Sequence, residues 1–231
     1  MKTINQVAFL IQARLSSQRC PQKMIRPFAG TTLLDINIKK LVESDFIPNE
    51  NIYVSVCEPE LVQVAEKYPV NIFHRSQKSA NSEGTPMTEI YEWWNKLPHD
   101  YVILTNACVP MLKTETIEGF TKSYLNSESD GMFGVIEKKN YFWNSKGEFL
   151  TSIDEAVMNT KTADPVLEAA HCLYAGSLNN IGKNIWMGDF SKPGDIELYK
   201  ISEEEVFDID YEWEFLLYEK LYSLTQRTST C

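Results

Sequence analysis

A polar segment near the N-terminus combines cations and hydroxyls that together could bind a phosphate. Arg14, Arg19 and Lys23 lie in one run with Ser16 and Ser17. Arginine can hold a phosphate through two parallel hydrogen bonds, and lysine acts as a point charge. The run contains no glycine and matches neither GxGxxG nor a P-loop. From these residues alone, a phosphate site and a solvated basic loop are both open interpretations.

Two carboxylates near the C-terminus could share a divalent cation. Asp208 and Asp210 flank Ile209, and residues i and i+2 of an extended segment point to the same side. Mg²⁺ prefers oxygen ligands and usually keeps several waters and phosphate oxygens around it. The alternative is an acidic segment ahead of the last helix, in which Asp210 stabilises the helix dipole.

Histidines and cysteines give little support to a zinc or thiol site. The chain has three histidines and five cysteines in 231 residues, and no two cysteines have CxxC spacing. We therefore expect free thiols in a reducing cytoplasm. The apolar stretch 7–11 is too short for a signal peptide, and no run reaches the about 18 apolar residues of a membrane span. The sequence predicts a cytoplasmic protein that has no membrane partner.

The elements that must position these residues alternate between strand and helix. Buried strands are predicted at 7–12, 51–57, 70–73 and 101–105, and helices at 33–42, 59–68, 88–96 and 114–125. Such alternation is typical of βαβ units and a mainly parallel sheet. Ligands of open parallel sheets bind beyond the carboxyl ends of the strands, so the loop after the first strand is the expected place for a phosphate.

The pattern changes after about residue 130. Short strands are predicted at 131–137, 141–143, 149–151, 171–177 and 198–201, followed by a last amphipathic helix at 211–224. We expect an α/β fold in a single domain over residues 1–231, interrupted by a mixed excursion over about residues 136–170.

The net charge excludes some partners and is unevenly distributed. The chain carries a formal net charge of −10 and a pI near 4.9, which argues against a nucleic-acid binder and against a basic face on anionic lipid. Residues 1–40 have a local balance of +6, and residues 195–231 have a balance of −7. This asymmetry is informative only if the two ends meet in space.

Four segments resemble the CMP-sugar synthetases. The run IQARLSSQRCPQKMIRPFAGTTLL is similar to their N-terminal signature. The segments 53–66, 104–110 (LTNACVP) and 206–215 (VFDIDYEWEF) resemble later segments of the family in matching order. The most similar group is the acylneuraminate cytidylyltransferases, and IQAR also resembles a sister group, the spore-coat polysaccharide nucleotidyltransferases. Several residues fall in register with the N-terminal signature: Arg14, Ser17, Pro21, Lys23, Pro27, Gly30, Leu33 and Leu34.

The resemblance implies a Rossmann-like nucleotidyltransferase fold, with a mainly parallel sheet flanked by helices and a small excursion for dimerisation. It implies transfer of CMP from CTP to a sialic or other nonulosonic acid-like sugar acid, with release of pyrophosphate, for surface polysaccharide biosynthesis. It also implies Mg²⁺ (or Mn²⁺) on Asp208 and Asp210. A homodimer is expected, with residues 138–142 in the place of the family's dimer arm.

The resemblance also assigns roles to residues of the candidate site. Arg14, Lys23, Asn106 and Asp210 would be catalytic. The loop 82–88 would border the cytosine, and Arg75 resembles an arginine that lies near the cytidine. The nucleotide- and substrate-binding residues are expected to be Ala13, Ser16, Ser17, Arg19, Arg75, Thr85, Lys161 and His171.

Departures from the family leave the acceptor open. Met24 replaces the usual asparagine, and no arginine lies between residues 76 and 226, where sialic acid enzymes use one to hold the substrate carboxylate. Lys161 falls nearest that position, although a solvated surface lysine is an equally good interpretation. His171 lies where the family lines its sugar pocket, but we favour a satisfied core histidine. A different sugar acid, a phosphonate acceptor or a non-catalytic relative remain alternatives.

Overall fold

Seven strands form one sheet in the computed structural model, which describes residues 1–81, 84–152 and 159–228. The strand order is β3-β2-β1-β4-β6-β5-β7. Strand β6 runs antiparallel to its neighbours β4 and β5, and the other paired strands are parallel. The strands are β1 (Val7–Gln12), β2 (Ile52–Val56), β3 (Asn71–His74), β4 (Tyr101–Thr105), β5 (Gly131–Lys138), β6 (Val166–Ser177) and β7 (Ile196–Lys200).

Helices connect the strands and flank the sheet, so the α/β fold expected from the sequence is confirmed. The helices are α1 (Leu33–Val42), α2 (Pro59–Ala65), α3 (Gln77–Ala80), α4 (Met87–Ile90), α5 (Thr114–Asn126), α6 (Leu178–Ile181) and α7 (Glu212–Thr228). Among the described residues, none of the helices is long and apolar enough to cross a membrane.

The central strand β1 is apolar because both of its faces are covered. Successive residues of a strand point to opposite faces. Accordingly, Phe9 and Ile11 belong to one buried cluster, together with Leu34 of α1. Leu10 belongs to the cluster on the other face, together with Trp93. A run of uninterrupted apolar residues is therefore the signature of a strand with a core on each side.

Three predicted elements differ from the structure. The helix predicted at 88–96 ends at Ile90, because the rings of Tyr91 and Trp93 turn to pack on Trp186. Packing of these aromatics overrides the helical spacing. The strands predicted at 141–143 and 149–151 are reduced to one isolated bridge between Trp143 and Phe149.

The predicted excursion over 136–170 is too wide. Strand β6 begins at Val166 and pairs with β5 as far as Lys138, so both ends of the excursion belong to the sheet. The remaining connection covers residues 139–165, hereafter the 139–165 segment. Its residues 153–158 lie outside the described part of the chain.

Candidate active site

A cavity of about 770 Å³ opens at the carboxyl ends of β1 and β2. This volume is typical of a small-molecule site. The loop after β1 supplies the cationic and hydroxyl lining, and Cys57 and Glu58 follow β2 directly. Gln77, Ala80 and Asn81 close the side next to α3. Further lining residues come from the first loop and from the C-terminal acidic segment: Ala13, Arg14, Ser16, Ser17, Arg19, Lys23 and Asp210.

Two of the loop cations contact the acidic segment. Arg19 Nη2 lies 2.8 Å from Asp210 Oδ2, and Lys23 Nζ lies 3.5 Å from Asp210 Oδ1. Lys23 is buried and also donates to the carbonyl of Ile209. Burial lowers the pKa of Lys23, but the Cys108 thiol and the carboxylates of Asp208 and Asp210 outweigh burial, so the net pKa is raised. Lys23 is therefore held as a cation at the floor of the cavity.

The acidic pair has the properties of a cation site. Asp208 Oδ1 is buried and has no hydrogen-bond partner among the described residues. Burial raises the pKa of Asp208, and the nearby charge of Asp210 raises it further. A divalent cation would relieve both effects, so the residues present fit Mg²⁺. No group of three or more His, Cys, Asp or Glu side chains suited to a metal exists in the described part of the chain.

The helix-capping alternative for Asp210 is not supported by its contacts. The N–H groups of Asp210 and Tyr211 donate to Glu214 Oε2 at 2.7 and 2.8 Å, just ahead of α7. Glu214 therefore satisfies these donors, and the carboxylate of Asp210 remains directed at Arg19 and Lys23.

Asn106 links the acidic pair to the sheet. Its Nδ2 donates to Asp208 Oδ2 at 3.3 Å and to the carbonyl of His171 at 2.8 Å. Its Oδ1 accepts from the N–H of Cys108, whose carbonyl in turn accepts from the N–H of Ile209. The residue between the two aspartates is thus fixed to the loop after β4.

Buried polar groups of α1 support that loop from below. Asn37 Nδ2 donates to the carbonyl of Ala107 at 2.8 Å, and Lys40 Nζ donates to the carbonyl of Val109 at 2.9 Å. Burial lowers the pKa of Lys40 to about 7, although the Cys172 thiol and Glu205 act in the opposite direction. A buried lysine is costly, and here its amino group donates to the backbone carbonyl of Val109 in the loop after β4.

A second cavity of about 370 Å³ adjoins the first. Gln12 lines both cavities, and Trp93 Nε1 fixes this side chain through a hydrogen bond of 2.9 Å to Gln12 Oε1. The smaller cavity has a polar lining of Gln12, Asn106 and His171. Its aromatic lining consists of Tyr91, Phe133, Tyr174 and Trp186.

Most of the chain matches the sequence model of a known protein family. The sequence model of the cytidylyltransferase family matches residues 8–174. The chain belongs to this family. The match runs from β1 into β6 and ends before Asp208 and Asp210. The fold returns Asp210 to the lining of the larger cavity.

Individual relatives are distant. A 3-deoxy-manno-octulosonate cytidylyltransferase of Rickettsia felis is 24% identical over 154 residues, and the match covers 65% of this chain and 60% of that protein. The spore coat polysaccharide biosynthesis protein SpsF of Bacillus subtilis is 31% identical over 67 residues, or 28% of either chain. The chain thus spans less than two thirds of these relatives.

A solved structure shows the same fold. The structure of CMP:2-keto-3-deoxy-manno-octonic acid synthetase complexed with CTP has a TM-score of 0.68, with 96% of this chain and 99% of that one covered. The identity is 13%, so this likeness establishes the fold of the cytidylyltransferase and no more.

The structure places most of the predicted residues around the two cavities. Arg14 lines the larger cavity, where its Nη1 donates to the carbonyl of Ala80 at 3.0 Å. His171 is exposed, lies in the left-handed region with φ of 51°, and lines the smaller cavity. The expectation of a satisfied core histidine is therefore wrong. The bulged register between β5 and β6 turns this side chain out of the core.

Four predicted residues lie apart from the cavity linings of the described chain, and one of them is Asp208, which contacts the lining residue Asn106. Arg75 is buried, its Nη2 donates to the carbonyl of Ala13 at 2.6 Å, and burial lowers its pKa to about 10. Thr85 donates to the carbonyl of Asn81. Lys161 is exposed on the turn 160–162. Residues 82–83 of the predicted cytosine-bordering loop lie outside the described residues.

The sequence reasoning missed residues on the far side of the larger cavity. Glu58 is the second residue after β2, which is paired in parallel with β1. The rule that carboxyl ends of parallel strands share one edge could have found it. Gln77 and Asn81 lie at the two ends of the four-residue helix α3, which is too short to produce a periodic signal.

Proposed function

We propose that this protein transfers CMP from CTP to a sugar acid and releases pyrophosphate, in the biosynthesis of a surface polysaccharide. The observation that carries the proposal is the meeting of Arg19, Lys23 and Asp210 in one cavity, beside a second cavity reached across Gln12. A nucleotide and an acceptor can therefore lie side by side. The family membership and the names of the relatives favour CTP and a sugar acid.

The larger cavity suits a triphosphate. Arg14, Arg19 and Lys23 would bind phosphate oxygens, and the hydroxyls of Ser16 and Ser17 would add neutral donors. Arg19 is about half exposed and is already paired with Asp210. Exchange of this surface ion pair for a phosphate is inexpensive, because exposed pairs contribute about 0–1 kcal/mol.

Asp208 and Asp210 would hold Mg²⁺. When bound, the ion offsets the negative charge of the phosphates. Two observations support this: burial and the charge of Asp210 raise the pKa of Asp208, and its buried Oδ1 has no hydrogen-bond partner among the described residues. Asn106 would keep Asp208 in place through its hydrogen bond to Oδ2.

The smaller cavity suits the acceptor. Its aromatic rings can pack on the apolar face of a sugar, while Gln12, Asn106 and His171 offer hydrogen bonds. The described lining contains no lysine or arginine. An acceptor with a single carboxylate therefore suits this cavity better than a doubly charged phosphonate.

The reaction is an in-line displacement at phosphorus. An acceptor hydroxyl oxygen forms a bond to the α-phosphorus of CTP, the bond from that phosphorus to the bridging oxygen breaks, and pyrophosphate leaves with the electron pair. The hydroxyl proton passes to water. The protein contributes alignment of the two substrates and neutralisation of the triphosphate, which are the main requirements of phosphoryl chemistry.

The preferred acceptors are the 2-keto-3-deoxy sugar acids. The relatives named for 3-deoxy-manno-octulosonate support an eight-carbon acid, and the N-terminal signature supports an acylneuraminate. The test is release of pyrophosphate from CTP and Mg²⁺ with a panel of 3-deoxy-manno-octulosonate, N-acetylneuraminate, a simple phosphonate and no acceptor. Release with either sugar acid alone supports the proposal. The proposal is contradicted if pyrophosphate is released with the phosphonate only. It is also contradicted if none of the three acceptors causes release of pyrophosphate.

We further propose that the protein acts as a homodimer. The 139–165 segment exposes an aromatic cluster in which Trp143 is 57% exposed and its ring lies 5.2 Å from that of Phe149. The next residue, Leu150, is 60% exposed. A second copy would cover this apolar surface.

A further inference from the structure

Glu58 carries an unused hydrogen-bond acceptor at the nucleotide cavity. Its Oε1 accepts from the N–H of Leu15 at 2.8 Å, which fixes the start of the phosphate-binding loop. Its Oε2 is buried and has no partner in the described part of the chain, although the residue lines the larger cavity. A buried acceptor without a donor is destabilising, and more so when it is charged.

No donor of the described residues is hydrogen-bonded to Glu58 Oε2. The nearby cation is Arg75, which interacts with Glu58 electrostatically but uses its Nη2 on the carbonyl of Ala13. Arg75 Nε is itself buried and without a partner among the described residues. A ligand that fills this end of the cavity would have to bring a hydrogen-bond donor toward Glu58.

The part of CTP that could supply the donor follows from charge. Phosphate oxygens would be repelled by Glu58 and are suited to the cations Arg19 and Lys23, which contact Asp210. The nucleoside therefore lies toward β2. Cytosine presents an exocyclic amino group, which pairs with a glutamate oxygen, whereas uracil presents a carbonyl oxygen at the same position.

We propose that Glu58 selects cytosine over uracil by accepting a hydrogen bond from the exocyclic amino group of the base. This inference rests on the proposed use of a nucleoside triphosphate in the larger cavity. The terminal torsion of a glutamate is soft, so Oε2 can tilt toward the base while Oε1 stays on Leu15. With uracil, the carbonyl oxygen of the base would face Glu58 Oε2, and neither acceptor would have a donor. Sites that hydrogen-bond one ligand strongly reject an analogue that leaves their buried polar groups unpaired.

The substitution Glu58→Gln tests the proposal while it preserves shape. The amide oxygen can keep the hydrogen bond to Leu15, which leaves the amide NH₂ facing the base as a donor. That donor matches the carbonyl of uracil and opposes the amino group of cytosine. We expect the ratio of kcat/KM for CTP to kcat/KM for UTP to fall by at least about tenfold, within the discrimination of one hydrogen-bonded base contact.

Glu60→Gln is the matched control, because Glu60 is an exposed acid two residues away on α2. We expect this variant to keep the wild-type ratio. An unchanged ratio of kcat/KM for CTP and UTP in a folded Glu58→Gln variant would overturn the proposal. A variant that changes the ratio of kcat/KM for CTP and dCTP, but not that for CTP and UTP, would also overturn it, because the ribose hydroxyl would then be the donor.

Calorimetric binding of CDP and UDP separates this inference from the proposed function. If wild type binds CDP more tightly than UDP and Glu58→Ala binds the two equally, the inference stands even when no acceptor yields pyrophosphate. If wild type turns over CTP but Glu58→Ala keeps the full preference for CDP, the proposed function stands and the role of Glu58 is refuted.

Discussion

At the residue scale, the account depends on a few charged side chains held in fixed positions. Asp210 contacts both Arg19 and Lys23, and the backbone between Asp208 and Asp210 is tied to Lys23 and Cys108. The charges that would bind a triphosphate are therefore placed before the ligand arrives. Such preorganisation is the main source of electrostatic catalysis.

Asp210→Asn should reduce turnover strongly while leaving the fold intact. The substitution keeps the shape but removes the charge proposed to act on the nucleotide through Mg²⁺. We expect kcat/KM for CTP to fall at least about 100-fold, with a small change in the melting temperature because Asp210 is partly exposed. Steady-state kinetics with Asp45→Asn, an exposed acid, provides the control. Wild-type turnover in Asp210→Asn would remove this residue from the site.

Lys40 gives a prediction on the pH dependence of stability. Burial holds its pKa at about 7 in the folded protein, against 10.5 ordinarily. Between these values the unfolded chain binds a proton that the folded chain does not, so the contribution of Lys40 to the free energy of unfolding rises with pH. The slope is about 1.4 kcal/mol per pH unit at most, and below pH 7 the full cost of the buried charge applies.

The measurement is urea unfolding of wild type and Lys40→Met between about pH 7.5 and 9.5. We expect wild type to gain stability relative to the variant as the pH rises. A difference that stays constant over this range would show that the pKa of Lys40 is not lowered.

At the element scale, the strands carry the candidate site on their carboxyl ends, and a close backbone approach shapes the smaller cavity. A Cβ at Gly131, the first residue of β5, would overlap the backbone of Met187 and Gly188. Met187 lines the smaller cavity. The start of β5 and the wall of that cavity therefore depend on one another.

Gly131→Ala should destabilise the protein by more than about 2 kcal/mol, because backbone atoms must move to admit the methyl group. Gly119→Ala is the control. Its Cβ would meet only the end of the Tyr199 side chain, and alanine is the better helix former in α5. Denaturant unfolding measures both, and equal losses from the two variants would contradict the close approach.

The elements also show what can be predicted from sequence. The uninterrupted apolar runs at 7–12 and 101–105 predict β1 and β4 with their observed bounds, since strands buried on both faces have a strong pattern. Helix α4 is much shorter than predicted, because aromatic packing on Trp186 decides its end. The short helix α3 and the bulge that exposes His171 depend on tertiary contacts that no local pattern contains.

At the scale of the whole molecule, the two charged ends of the chain meet. Arg19 and Lys23 contact Asp210, and Arg26 forms two hydrogen bonds of 2.7 Å with Glu212. The split of +6 and −7 in the sequence thus corresponds to contacts in space. The sequence was sufficient to predict the part of the candidate site that is built from the basic N-terminal and the acidic C-terminal residues. The position of Glu58 beside β1 could be predicted from parallel strand pairing. That its Oε2 has no partner among the described residues could not, because this depends on the packing of the folded chain.

The exposed aromatic cluster of the 139–165 segment predicts a homodimer. We expect wild type to elute at twice the monomer mass of 26.6 kDa in size-exclusion chromatography with light scattering. A double substitution of Trp143→Ser and Leu150→Ser should shift it toward the monomer, because both side chains are largely exposed in the single chain. A monomeric wild type would contradict the dimer, and an unshifted variant would place the interface elsewhere.

The most direct test of the central claim is ³¹P NMR of wild-type protein with CTP, Mg²⁺ and 3-deoxy-manno-octulosonate or N-acetylneuraminate. We expect the CTP signals to be replaced by one phosphodiester signal and one pyrophosphate signal of twice its intensity, since pyrophosphate contains two equivalent phosphorus atoms. Intact CTP with both acceptors, or release of orthophosphate without a phosphodiester, would contradict the assignment of this chain as a cytidylyltransferase acting on sugar acids.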